Sequence, residues 1–535
     1  MLGTEGSRVP GFQGSRVHQG SRVQRVCKAL WNLGTLQLWN PGPLPTLLGR
    51  LATGLGVIAV YWYASQQLTL AHYDAKAHLV VSRRILDSLT PGWEQIGAVW
   101  LPLPHLLNML PVQIDFLYRS GGFAIALSVM CHGLATAAIA GTVMLLTSSR
   151  AGATLAAAIY ATNPNVLYLQ STPMTEPMLF GLSTLQVYLV TKWILGGRLV
   201  VPATVGWVTI LACLTRYEAW SITATLLAAS AFAWWRRGHS MAEVINVHAR
   251  LAVYPVMAVI GFMVFSRITV GEWFVSGGFF VPDAELKGQP LVVFDKIAEG
   301  TAILGGDRLV TIAQVSSVVV ALTGLWSAGR APMLVPLALF ASVALPATAY
   351  LSGHPFRIRY EIPLIVASAL ATGLAVGLAR GWGRVLALLA FIAIVLERPP
   401  GDARAAMVAE AQIDRNVVTR REVTACLQAR YQGGTIMASM GALGHYMHEL
   451  SAAGFDIRDF LHEGNGPLWD SAFTRGPAPL VEWVLVEEVA EGGDAIIRRH
   501  RQIPRLLEDF DQVCAGGGVA LYRRKDRLVR IAPQT

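Results

Sequence analysis

Charge is scarce in this chain: only 14% of its 535 residues are Asp, Glu, Lys or Arg, against 53% apolar residues and a mean hydropathy of +0.46. So little polar surface excludes a water-soluble globule of this size. Cysteine is scarce as well. The five cysteines show no CxxC or metal-ligand spacing, which excludes a disulfide-dense scaffold and a cysteine zinc centre. Cys131 and Cys213 fall in apolar runs, while Cys426 and Cys514 share the C-terminal part and can pair if it lies outside the cell. The N-terminal segment is not expected to be a cleaved signal peptide, because the first apolar run starts late and no small-residue cleavage site precedes it.

What the chain does have is apolar runs of roughly 16 to 22 residues, the length of helices crossing a hydrocarbon core of about 30 Å. They fall near 51–70, 122–146, 152–168, 177–195, 200–215, 219–235, 249–266, 309–328, 332–350, 362–379 and 385–397. The expected class is therefore an α-helical polytopic membrane protein of about eleven transmembrane helices with a small C-terminal α/β soluble domain. Residues 1–48 repeat Gly-Ser-Arg-Val three times and read as a disordered basic cytoplasmic tail. Residues 49–397 form the membrane domain, with polar loops at 71–121 and 267–308. Residues 398–535 carry a polar helical stretch at about 404–430 and strand-like runs at Thr435–Ser439, Val481–Glu487 and Gly518–Tyr522.

Net charge is +9, which in so apolar a chain marks membrane sides rather than nucleic acid. Arg150, Lys192, Arg198, Arg236, Arg237, Arg330, Arg380 and Arg384 share the side of the basic N-terminus, and the positive-inside rule makes that side cytoplasmic. The polar clusters and the C-terminal domain then fall outside the cell. The expected location is the plasma membrane.

The first cluster lies in Tyr73–Leu107. Asp74 should stand at the outer surface, where partial desolvation brings a carboxylate toward the range of a general base. The plainer reading makes it the N-cap of a helix over about 75–88. Arg83 and Arg84 suit a phosphate or lipid headgroups, Trp100 suits an interface-lying elbow, and His78 and His105 suit scaffold or, with a carboxylate, a metal site. Glu176 in Met174-Thr175-Glu176-Pro177 suits a helix start, Arg216 and Glu218 are ionisable at membrane depth, and Arg357, Arg359 and Tyr360 precede a late span.

This combination resembles the GT-C superfamily of membrane glycosyltransferases, in particular the family 39-like bacterial branch of protein mannosyltransferases and aminoarabinose transferases. Tyr73-Asp74-Ala75, the Met174–Pro177 turn, Arg216-Tyr217-Glu218 and Arg359-Tyr360 stand where that family's landmarks belong. The resemblance implies inverting transfer of a sugar from a polyprenyl-phosphate donor to a lipid, glycan or protein acceptor on the external face, with no nucleic-acid partner. Asp74 becomes the base. Arg83, Arg84, Arg216, Arg357 or Arg359 neutralise phosphate, and Glu176, Glu218 and Tyr360 help to bind donor or acceptor. The 267–308 loop becomes a candidate lid. Several members carry two adjacent acids in the first loop where this chain has Asp74-Ala75, so the implied mechanism needs no metal, a divalent ion remaining the alternative. A transporter or flippase for a lipid or polysaccharide is the competing class, distinguished by repeated halves with midplane charges. A membrane sensor with 398–535 as its receiver is a third.

Overall fold

The computed structural model describes residues 41–275, 282–379, 381–397, 406–413, 417–489 and 493–525. The Gly-Ser-Arg-Val repeats and the Gly-Gly-Phe-Phe segment at 277–280 lie outside them. Every apolar run is helical at its core, and among the described residues seven helices are long and apolar enough to cross a membrane. Helix α1 (Pro43–Ser65) begins eight residues before the expected run, because Pro43 and Pro45 fit a first turn that has no N–H bonds to lose. The 152–168 run is instead two helices, Arg150–Ala161 and Pro164–Leu169, broken where Asn163 caps the second. Pro332 and Pro336 hold Ala328–Val343 in tight 3-10 turns. Ala203–Cys213 has only 11 residues, about 16 Å of helix, short of a full crossing.

Helices inside the membrane pack through small residues, since burial from lipid offers no hydrophobic gain. A Cβ on Gly49 of α1 would come within 2.9 Å of both the Ala137 Cβ and the Gly133 carbonyl on the Gly122–Thr147 helix. Such close approach leaves polar termini to be settled at the bundle's ends.

At one end of the bundle lies α2 (Tyr73–Arg84), whose sequence is as polar as that of a surface helix, yet eleven of its residues are buried. The C-terminal part explains this. It holds a five-stranded sheet, β1 (Ile436–Ala438), β2 (Phe460–Leu461), β3 (Trp483–Glu487), β4 (Phe510–Gly516) and β5 (Val519–Arg524), in the order β2-β1-β3-β5-β4. The β1 pairings are parallel and the β5 pairings antiparallel. One face packs Leu443, Met447, Ile436 and Leu485 together with Leu79 and Val80 of α2. The other face is covered by Trp469, Ile496 and Ile497. Helix α2 is thus held between the membrane bundle and the sheet domain.

Three details sharpen the sequence reading of this part. Strands β2 and β4 were not expected, since one is two residues long and the other, broken by Asp511 and Gln512, buries only its first residue. The 404–430 stretch is two helices, and the first, Ala406–Ile413, buries Met407 and Ala411 in the membrane core and donates from the Met407 N–H to Asn165 Oδ1 at 3.1 Å. The 267–308 loop is largely helical: Pro290–Gly305 packs Val293 and Ile297 against Tyr350.

Candidate functional site

The site begins at the first turn of α2. His72 is the N-cap, its Nδ1 accepting from the Asp74 N–H at 3.1 Å. This corrects the capping alternative for Asp74: a neighbour does the capping, so the Asp74 carboxylate is free to pair elsewhere. Its partner is Arg359, which forms a buried ion pair with it. Burial alone would raise the Asp74 pKa, but the Arg359 charge, helped by His72 and His78, holds it well below the usual carboxylate range. The expected shift toward working pH is therefore reversed while Arg359 is bound to it.

Arg359 lies in the Ile358–Glu361 turn that opens the Ile362–Leu378 helix, its guanidinium 5.5 Å from the Tyr360 ring. Tyr360 stacks on Tyr350, and the Tyr350 hydroxyl bonds both Glu361 Oε1 at 2.9 Å and the Arg357 carbonyl at 3.0 Å. Arg357 is thus tied by its backbone into the turn that presents Arg359.

A second cluster stands beside the first. Arg216 reaches Glu176 at 3.0 Å, Glu218 at 2.8 Å and the Thr175 hydroxyl at 3.0 Å. Both carboxylates open helices, Glu176–Leu195 and Glu218–Arg236, so each complements a positive helix end as well as orienting Arg216. Arg216 and Arg359 lie near enough to repel each other, and Glu176 acts on both. Asp74, Glu176, Arg216, Glu218, Arg357, Arg359 and Tyr360 therefore converge on one end of the bundle.

His78, Trp100 and His105 flank this group. The His78 Nδ1 is 3.0 Å from His105 Nε2, and the Trp100 ring lies 4.2 Å from that of His78. Among the described residues no three His, Cys, Asp or Glu side chains are grouped as a metal centre requires.

Arg83 and Arg84 are placed elsewhere, at the far end of α2. Arg83 bonds Asp87 at 2.9 Å, Asp115 at 2.7 Å and Asp456 at 3.2 Å, with its guanidinium 4.5 Å from the Tyr118 ring. Arg84 is buried against the Gln95 carbonyl and the Met440 sulfur. Helical geometry accounts for this: nine or ten residues after Asp74 is about 14 Å along the axis.

Sequence reasoning missed His72 and Glu410. Glu410 comes from the Ala406–Ile413 helix, its Oε2 3.7 Å from His72 Nε2, and its charge acts on Arg357 and Arg359. Histidine is not one of the favoured N-cap residues, so His72 gave no cap signal, and Glu410, the one charge of the mostly apolar Ala406–Ile413 helix, was read as part of a longer polar stretch.

Beside the His78 group runs an apolar groove of about 430 Å³ lined by Trp93, Pro102, Leu214, Met257 and Phe262. Among solved structures the chain is similar to ArnT from Cupriavidus metallidurans, solved bound to undecaprenyl phosphate, at 11% identity and TM-score 0.53, over 89% of this chain and 98% of that one. The chain shares that protein's fold. No family model and no curated protein matches the sequence. At this identity the likeness extends to the backbone path, and the side-chain chemistry rests on the geometry above.

Proposed function

We propose that the protein is an inverting membrane glycosyltransferase that moves a sugar from a polyprenyl-phosphate carrier to an acceptor on the extracytoplasmic face. The carrying observation is the buried Asp74–Arg359 pair, on a fold shared with a protein solved with undecaprenyl phosphate. A carboxylate and a guanidinium that, among the described residues, have no other ion-pair partner can exchange with substrate: the donor's phosphate can replace Asp74 on Arg359. Loss of that cation lets burial raise the Asp74 pKa, so donor binding itself turns a weak base into a stronger one.

In the proposed step an acceptor O–H or N–H attacks the anomeric carbon. The new bond forms as the bond to the phosphate oxygen breaks, the electron pair leaves on the phosphate, and the proton passes to Asp74. Arg359, with Arg216 and Arg357 nearby, neutralises the charge that develops on the phosphate. Glu176 and Glu218 hold Arg216 in place. The apolar groove suits an isoprenoid chain. The bridged Cys426 and Cys514, Cα atoms 6.6 Å apart, suit an oxidising compartment and support the external placement, as do the basic loops at the opposite end.

The test is transfer from a radiolabelled undecaprenyl-phosphate-linked sugar in membranes holding the full chain, alongside mass spectrometry of envelope lipids, glycans and proteins with and without the gene. Full activity of Asp74→Asn at normal expression would remove the proposed base, and an unchanged envelope would remove the transfer reading.

A further inference from the structure

His78 lies one turn after Asp74, so both side chains occupy one face of α2. Its ring is buried, and two contacts fix its protonation pattern. His105 Nδ1 is 3.2 Å from the Leu101 carbonyl, which can only accept, so that nitrogen carries the hydrogen. Burial, reinforced by Arg84, pushes the His105 pKa down to about 3, so the ring is neutral and its Nε2 is an acceptor. The His78 Nδ1 facing it at 3.0 Å must then be the donor. In a neutral ring this leaves His78 Nε2 as a bare lone pair, and among the described residues it makes no hydrogen bond. Trp100, whose ring stacks near both imidazoles, keeps them from turning.

The groups facing His78 define what that lone pair can receive. They are Asp74 on its own helix, His105 on the Leu103–Asn108 helix, Arg216 on the turn before Glu218, and Arg359 on the late turn. Two nearby guanidiniums repel a cationic ligand group, while the lone pair itself repels a phosphate oxygen. A neutral donor remains.

We propose that His78 Nε2 is a hydrogen-bond acceptor for a substrate hydroxyl, on the transferred sugar or on the acceptor, and that His105 is the positioning residue that sets its tautomer. The proposal rests on the glycosyl-transfer reading for the identity of the hydroxyl. The lone pair, without a hydrogen bond among the described residues, does not depend on it.

The first measurement is treatment of the purified full-length protein with diethyl pyrocarbonate, which acylates a neutral, accessible imidazole nitrogen, followed by peptide mass spectrometry. His78 should be labelled and His105 spared, and His105→Phe should reduce labelling of His78 by freeing the other tautomer. An unlabelled His78 overturns the proposal whether or not sugar transfer is ever detected. The second measurement compares two variants in the transfer assay. His78→Asn keeps a group near Nδ1 but loses the distal acceptor, and should lower kcat/KM about tenfold. His78→Gln can place an oxygen near the Nε2 position and should stay within about threefold. A KM rise confined to the donor assigns a sugar hydroxyl, and one confined to the acceptor assigns an acceptor hydroxyl. Equal loss in both variants with both KM values unchanged overturns the proposal.

Discussion

The two ends of α2 carry charges of the same kinds and put them to opposite uses. At its first turn Asp74 meets a single guanidinium, Arg359. At its last turn Arg83 meets three carboxylates, Asp87, Asp115 and Asp456, and Asp87 takes a further bond from Arg458 at 2.8 Å. A pair of one and one leaves lone pairs and donors that a substrate can claim. A guanidinium shared among three acids, one of them from the C-terminal domain, has none to spare and acts as a clamp. Saturation of a charge, rather than its presence in a loop, separates a reactive group from a structural one.

The largest expected effect breaks the first end. Asp74→Asn should lower transfer by about 10²- to 10⁴-fold, the range for removal of a general base. Arg359→Gln should fall in the same range, and the double variant should be little worse than the poorer single one, because the two act as a unit. Additive losses in that double-mutant cycle would show two independent roles and dissolve the pair as the site's centre.

The next effect breaks the other end and should appear in a different measurement. Arg83→Met removes a buried cation from acids of which Asp115 and Asp456 are about half exposed, and should cost about 1 to 2 kcal/mol in unfolding of the detergent-solubilised protein. The folded fraction should keep its turnover. A selective loss of turnover with an unchanged melt would return Arg83 to the donor site and erase the contrast.

A smaller effect concerns the cap. His72→Ala leaves the Asp74 N–H without its acceptor and should cost about 1 kcal/mol, whereas His72→Asn, a favoured N-cap, should restore stability. If Glu410 acts through His72, then Glu410→Gln should lower activity in the wild-type background and have little further effect in His72→Asn. Equal losses from Glu410→Gln in both backgrounds would mean that Glu410 acts directly on the arginines instead.

Much of this arrangement was legible in the sequence because bilayers are strict solvents. Apolar runs of membrane length fold as helices, and Glu176, Arg216, Glu218 and Arg359 stood out as charges at the ends of such runs. Their convergence followed from counting spans. The surroundings of Arg83 were hidden for a physical reason: whether a charge is saturated depends on partners such as Asp456, 373 positions away along the chain. Glu410 escaped for the same reason, since its short, mostly apolar helix is too brief to stand out as a span, and only the packing of Met407 and Ala411 into the core of the helical bundle brings Glu410 to the site. The tautomer of His78 was equally hidden, because it depends on the carbonyl of Leu101 two contacts away.

The smallest effect lies in the sheet domain and tests how independently that domain behaves from the α2 clamp. Asp494 caps the Ala495–Gln502 helix, accepting from the N–H groups of Ile497 and Glu487 at 2.8 Å each. Burial outweighs those bonds and pushes its pKa up to about 6, with Glu463 adding to the rise. A carboxylate whose pKa is higher folded than unfolded binds its proton more tightly in the folded state. Stability from this group therefore rises as pH falls from about 6 to about 4 and is lost as pH climbs back through that window. Asp494→Asn should flatten this dependence while shifting stability at pH 7.5 by no more than about 1 kcal/mol, because the amide keeps one of the two capping bonds. The measurement is a series of thermal melts across pH 4 to 7.5. A wild-type slope that survives the substitution would locate the titrating group outside this cap and next to the α2 clamp, where Asp459 is also raised by burial.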